Sequence, residues 1–214
     1  MFHDRAAAAR QLLPYLKERP LRRPVVLAIP RGGLALGVVL AQGLAAELDV
    51  VIVRKIPLPG QPEAAIGAVA EDGTVHLHPQ ARQVEGVTAD YLRHARAVAL
   101  RRIEELRRLF RQARPPADLA GRSVIVVDDG IATGATMLAA LIWLRSQGAE
   151  NVIVAVPVAA PDRLDEVAAH CDDVLCLRAP EQFRAVGEWY EDFRPVGDEE
   201  AVALLAAAPN PTPT

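Results

Sequence analysis

Short apolar runs alternate with longer amphipathic stretches along most of the chain. Val25–Pro30 (VVLAIP), Val50–Val53, Ser123–Val127, Val152–Val156 and Asp173–Leu177 are rich in β-branched residues and have strand length, so they read as buried strands. Between and around them, residues 4–18, Leu34–Glu47, Thr88–Arg114, Gly134–Gln147, Asp162–His170 and Asp198–Ala207 carry helical spacing. Pro115-Pro116 ends the long helix, and Gly148 stops the helix after the third strand. Strands separated by helices imply an α/β fold: a doubly wound, parallel five-stranded sheet flanked by helices. Ligands of such sheets bind beyond the carboxyl ends of the strands, near the point where strand order reverses. The residues after each strand therefore carry the functional reading.

Two stretches break the alternation. Lys55–Pro62 holds three prolines and a glycine and reads as a loop. After it, Ala64–Ala70 and Thr74–His78 flank Glu71-Asp72-Gly73, the pattern of a β-hairpin with an Asp-Gly turn. Past Arg178 the periodicity lapses. Ala179–Pro195 has no clear period but holds Phe183, Trp189, Tyr190 and Phe193, four of the nine aromatics in the chain. The organisation is thus a core over residues 1–178, a small C-terminal segment over 179–208, and a tail over 209–214 (PNPTPT) expected to be disordered.

Composition narrows the function classes. The 214 residues carry a net charge of −3, which gives no global basic excess for nucleic acid. The arginines of the long helix include Arg101 and Arg108, four residues from Glu105 and Glu104, so this helix reads as a solvated, ion-paired face. Cys171 and Cys176 fit neither a metal spacing nor a disulfide framework, and a reducing cytoplasm is the expected setting. The first sixteen residues mix acid and base and read as a helix rather than a signal peptide. No apolar run is long enough to span a bilayer. Of 24 basic residues only Lys17 and Lys55 are lysines, so Lys55 at the end of a strand calls for a reason.

The strongest chemical signal is Val124–Thr136, VIVVDDGIATGAT. A buried strand delivers Asp128 and Asp129 side by side, an arrangement that costs repulsion and desolvation unless a partner offsets it. The two hydroxyls of a sugar diol could each donate to a carboxylate. Gly130, Ala132, Thr133, Gly134, Ala135 and Thr136 then lead into a helix. Their small side chains expose backbone N–H groups, the threonines add hydroxyls, and the helix N-terminus favours an anion. Acid pair and anion nest lie one loop apart, which suits a sugar carrying a phosphate. A plainer reading, an acidic strand end beside a capped helix, explains less of the pattern. The Gly-Lys-Ser/Thr of a nucleotide P-loop and the G-x-G-x-x-G of a dinucleotide site are both absent.

Residues 124–136 resemble the signature of the type I phosphoribosyltransferases. The resemblance implies that Asp128 and Asp129 take the ribose hydroxyls, and that the loop from Thr133 to Thr136 takes the 5-phosphate. It also implies a diphosphate-holding loop after the first strand, here Arg31, Gly32 and Gly33, with Arg54 and Lys55 as further diphosphate contacts. It implies a lid over residues 57–78 and a hood over the C-terminal segment, where Trp189 and Tyr190 are candidates to stack on the acceptor. Those rings serve equally well to pin an irregular segment to the core. His76 and His78 alternate on one strand face and read as exposed strand residues.

The activity implied by the resemblance is transfer of ribose 5-phosphate from 5-phosphoribosyl 1-diphosphate to a nitrogenous base, with Asp128, Asp129 and Lys55 in the reacting region. Mg²⁺ would be held by Asp128 and Asp129 directly or through water. The partners expected are small molecules, not nucleic acid or membrane, with a homodimer by analogy. Two other readings stand beside it: a non-catalytic regulator that binds the sugar diphosphate, and a receiver- or phosphatase-type Mg²⁺ site. The second is weakened because the other strand ends offer cations, Arg31 and Arg54-Lys55, rather than acids.

Overall fold

In a computed structural model, residues 1–208 are described, apart from the side chains of Pro62 and Glu63; the tail over 209–214 lies outside the described residues. The elements run α1 (Arg5–Lys17), β1 (Val25–Ala28), α2 (Gly32–Leu44), β2 (Glu47–Val50), β3 (Arg54–Leu58), β4 (Gln61–Val69), β5 (Val75–Leu77), α3 (Ala89–Ala113), β6 (Ser123–Val127), α4 (Ala135–Leu144), β7 (Asn151–Val158), α5 (Pro161–Ala168), β8 (Asp173–Arg178) and α6 (Asp198–Ala207). Polar caps start two of the helices. Asp4 accepts from the Ala7 N–H at 2.6 Å and Thr88 from the Tyr91 N–H at 3.1 Å.

Five parallel strands form the main sheet in the order β2-β1-β6-β7-β8, as the alternation predicted. Alternate residues of its strands face opposite ways. Val26, Ala28, Ile125 and Val127 pack toward α1, α2, α3 and α6, whereas Val25, Leu27, Val124 and Val126 pack toward α4 and α5. Both faces are covered, which is why β1 and β6 are apolar at every position but Ser123, and buried throughout. The long helix α3 buries Ala99, Ile103, Leu106 and Phe110, one stripe at helical spacing. Its basic face is ion-paired, and one of the two pairs read from the sequence forms. Arg108–Glu104 forms at 3.0 Å, whereas Glu105 pairs with Arg102 at 2.9 Å rather than with Arg101.

The largest departures from the sequence reading fall between α2 and the insertion. The second strand occupies Glu47–Val50, not Val50–Val53. Helix α2 ends early because Ala45 turns into the left-handed region at φ 49, an ending that no glycine advertises. Val51–Val53 stay buried but lead out of the sheet. Lys55–Pro62, read as a loop, instead contains β3 and the start of β4. Pro57 is tolerated because the β3–β4 register shifts there, where a missing N–H costs little. The insertion is therefore a three-stranded antiparallel sheet, β3-β4-β5, with the Asp72-Gly73 turn at the expected place. Gly73 has φ 84, and the Ala70 N–H donates to Thr74 O at 2.9 Å.

The irregular segment after β8 is strapped to the chain's first residues. Phe2 N–H donates to Trp189 O at 2.7 Å, and Glu191 N–H donates back to Phe2 O at 2.9 Å. Phe2, Tyr190 and Val158 form a small buried cluster beside the sheet's carboxyl end. Cys171 and Cys176 are free thiols. Among the described residues, no helix is long and apolar enough to cross a membrane.

Candidate active site

The chain leaves β1 toward one edge of the sheet and reaches β6, β7 and β8 on the other side. The switch point thus falls between the carboxyl ends of β1 and β6. Pro30 to Gly33 come after β1, and Asp128-Asp129 after β6. The Pro30–Arg31 peptide is cis. The two loops touch. A Cβ on Gly32 would lie 2.0 Å from Asp129 Oδ2, and one on Gly33 would lie 2.6 Å from the Val127 carbonyl oxygen. Only glycine leaves room for that approach.

The acid pair is sheltered and incompletely compensated. Arg5 at the start of α1 donates from Nε to Asp129 Oδ2 at 2.9 Å, and the Asp129 side chain is 16% exposed. The same guanidinium donates to the Arg194 carbonyl at 2.9 Å and lies 4.0 Å from the Phe193 ring centroid. The Asp129 N–H donates to Asp128 Oδ1 at 2.8 Å. Burial pushes the Asp128 carboxyl well above the ordinary carboxylate range, and the neighbouring Asp129 charge pushes it further. Asp129 is also raised by burial, against the opposing pull of Arg5. A pair held this way favours a partner that brings hydrogen-bond donors or positive charge.

Beyond the acids, Gly134 adopts φ 77 at the N-cap of α4, the left-handed turn that brings the loop onto the helix end. A cavity of about 250 Å³ opens there, walled by Asp128, Asp129, Thr133, Gly134, Thr136 and Lys55. Gly130 and Ala132 line it too, whereas Ala135 is buried in the first turn of α4. Lys55, from β3, also borders a larger cavity of about 840 Å³ between β3 and α3, whose wall includes Pro30, Arg54, Tyr91, His94 and Arg102. Asp128 and Thr136 are common to both spaces. Arg54 is close enough to Arg102 and Arg31 that its pKa falls, first through desolvation and then through those cations. Arg31 Nη1 lies 3.3 Å from Asp198 Oδ1 at the start of α6, and Arg102 bonds the same carboxylate.

The structure brings Asp128 to Thr136, Gly32, Gly33 and Lys55 together, and sets Arg31 and Arg54 at the rim. It does not bring Trp189 or Tyr190 to the cavity. Tyr190 is 5% exposed, stacks on Phe193 at 5.0 Å and donates its hydroxyl to the Asp129 carbonyl at 2.6 Å. From this segment Val186 and Phe193 line the cavity instead. Sequence reasoning also passed over Arg5 and Asp198. Arg5 had a signal: it begins the spacing 5, 8, 9, 12, 16 of the buried face of α1, a charge at the head of an apolar stripe.

Residues 3–192 match the family described as phosphoribosyl transferase domain. The chain belongs to that family. A putative phosphoribosyl transferase of Mycobacterium tuberculosis is 39% identical over 211 residues, which cover 97% of this chain and 47% of that protein. The chain thus spans about half the length of these curated relatives. Protein TT1426 of Thermus thermophilus is 41% identical, with a TM-score of 0.81, covering 98% of this chain and 99% of that one. Protein AQ2163 of Aquifex aeolicus shares the fold at 14% identity and a TM-score of 0.52, over 95% of this chain and 84% of that one. The family's sheet and its strand-end loops are what this phosphoribosyl transferase domain uses to gather the cleft described above.

Proposed function

We propose that this chain transfers ribose 5-phosphate from 5-phosphoribosyl 1-diphosphate to a nitrogenous base or similar acceptor, with release of diphosphate. The observation that carries the reading is the sheltered Asp128–Asp129 pair one loop away from the glycine-rich N-terminus of α4. Asp128 and Asp129 accept from the ribose hydroxyls, and the backbone N–H groups and hydroxyls of Thr133–Thr136 hold the 5-phosphate. Lys55, Arg54 and the Arg31–Gly33 loop face the diphosphate end. The acceptor nitrogen forms a bond to the anomeric carbon as the bond to diphosphate oxygen breaks, and the acceptor gives up a proton. Negative charge grows on the leaving group, where the Lys55 ammonium stabilises it. Val186 and Phe193 supply an apolar wall that keeps water from the reacting carbon.

Two adjacent carboxylates are a hard-oxygen donor set, which fits Mg²⁺. Asp128 and Asp129 would hold that ion directly or through water, and it would supply charge neutralisation for the diphosphate.

The test is calorimetry with 5-phosphoribosyl 1-diphosphate and Mg²⁺ on wild type and on Asp128→Asn combined with Asp129→Asn, followed by diphosphate release with a panel of purines and pyrimidines. Loss of binding in the variant is expected, and unchanged affinity refutes the site. Wild-type binding with no release for any acceptor replaces the transferase by a sugar-diphosphate-binding regulator.

A further inference from the structure

A second cluster of side chains lies apart from the acid pair. His76 in β5 and His78 just after it leave the same face of the strand, and Glu166 of α5 meets them. One ligand atom from each of the three lies within 4.8 Å of the others. The imidazoles are half-buried rather than exposed, which corrects the sequence reading. Their ring centroids stand 6.3 Å apart, edge to face, a ring contact that accounts neither for the approach of Glu166 nor for an unpartnered ring nitrogen. His76 Nε2 is buried with no hydrogen-bond partner. A buried ring nitrogen is normally satisfied, and an orphan one calls for an explanation. His170 lies one helical turn beyond Glu166 and close enough to His76 to depress its proton affinity; its Nδ1 is likewise buried and unpartnered.

We propose that His76, His78 and Glu166 bind one divalent transition metal of the zinc class, which fastens the β4–β5 hairpin to α5 beside the phosphate loop. Two imidazole nitrogens and one carboxylate form a borderline donor set that suits zinc rather than magnesium or calcium. Zinc bonds of about 2.0–2.2 Å in a tetrahedron put donors about 3.3–3.6 Å apart, so modest side-chain rotations close the cluster. Three protein ligands leave a fourth position for water. Burial lowers the proton affinity of both histidines, which favours the neutral form that ligates a metal. The other charged group facing the cluster is Arg163, whose Nη1 is 3.6 Å from Glu166 Oε2, too long to saturate that carboxylate.

The position gives the metal a consequence. His78 borders a cleft of about 310 Å³ together with Ala65 and Gln80 of the insertion, Ala132 and Thr133 of the phosphate loop, and Arg163. An ion at the cluster ties the insertion to the wall of that loop. This holds whether or not the chain is a transferase.

The test uses the full chain without an affinity tag, stripped with a chelator and then dialysed against Zn²⁺ or Co²⁺. Metal content by mass spectrometry, the cobalt visible spectrum and the melting temperature are read together. Wild type should retain one equivalent, show the intense absorption of tetrahedral cobalt and melt higher with Zn²⁺. Asp128→Asn with Asp129→Asn should behave the same. His76→Ala with His78→Ala should bind more weakly by over about 100-fold, beyond the effect of losing an outer-shell partner. If that variant fails to fold, His78→Gln and Glu166→Gln, each removing one ligand, carry the comparison. A wild type that retains no zinc, or equal retention in the histidine or glutamate variants, overturns the proposal. So does loss of the ion in the aspartate variant alone, which would place it at the acid pair.

Discussion

Gly32→Ala probes the junction on which the site depends. The new Cβ would fall 2.0 Å from Asp129 Oδ2, and contacts under 3.0 Å are not sustained, so the carboxylate must withdraw by about 1 Å or more. The obstacle is the end of a side chain, so the fold survives. Withdrawal breaks the 2.9 Å bond from Arg5, a charge-assisted hydrogen bond contributing roughly 1.5–3 kcal/mol. Gly32 opens α2, and alanine there returns somewhat under 1 kcal/mol of helix propensity. The net loss is about 1–2 kcal/mol, or roughly 2–8 °C in melting temperature for a chain of this size. The larger effect is on function. On the proposed reading Asp129 positions the reacting sugar, and a displacement of about 1 Å in such a group costs on the order of 10²-fold in rate. Calorimetric unfolding and diphosphate release, measured on the same preparation, check both numbers. A variant with wild-type turnover and an unchanged melting temperature would refute the claim that Gly32 is there to seat Asp129.

Tyr190→Phe keeps the stacking on Phe193 but leaves the Asp129 carbonyl without its donor; a loss of about 1 kcal/mol is expected in urea unfolding. Asp128→Asn should stabilise the chain as it abolishes ligand binding. The folded pKa of Asp128 lies above its unfolded value, so ionisation weakens the fold as pH climbs from the ordinary carboxylate range through that raised pKa. Asparagine escapes the penalty, so its advantage should grow with pH over that window and vanish in strong acid; urea midpoints across pH showing the opposite trend would contradict the assignment. Asp198→Asn releases Arg31 and Arg102 from a partly exposed ion pair. Such pairs contribute at most about 1 kcal/mol, so inorganic diphosphate should bind up to about fivefold more tightly by titration calorimetry.

Those perturbations fall on residues of unequal legibility. The sheet was readable because β1 and β6 are buried on both faces, which makes their sequences nearly continuous apolar runs. The acid pair and the glycine-rich turn were readable because they are contiguous in the chain. The end of α2 was not, since Ala45 takes a left-handed conformation that its residue type does not announce. Pro57 misled for a related reason: a proline at a register shift is compatible with a strand, but the shift is set by β4. Arg5 was overlooked because it belongs to the site only through a contact spanning 124 residues. Val186 carries no sequence signal because an aliphatic wall residue looks like any core residue, and which of the rings nearby faces the cavity depends on the strap formed by Phe2 that turns Tyr190 inward, a tertiary feature.

The cleft is assembled so that the acid pair is never fully satisfied by the protein. Arg5 engages one oxygen of Asp129, the Asp129 N–H engages Asp128, and the Lys55 charge acts on both acids across the cavity they line together. A full set of cationic partners would have lowered both proton affinities, whereas burial raises them. The unmet demand is for donors and positive charge at the carboxyl end of β6, one loop from a helix end that favours an anion. On the proposed reading a sugar phosphate would supply both, with its hydroxyls toward the acids and its phosphate toward α4. Arg5 offsets part of the cost of burying Asp129, and its hold comes from outside the loop that carries the acids. The segment carrying Tyr190 and Phe193 packs around this arginine, so the closing wall of the cleft and the electrostatics of its floor are set by one group of contacts.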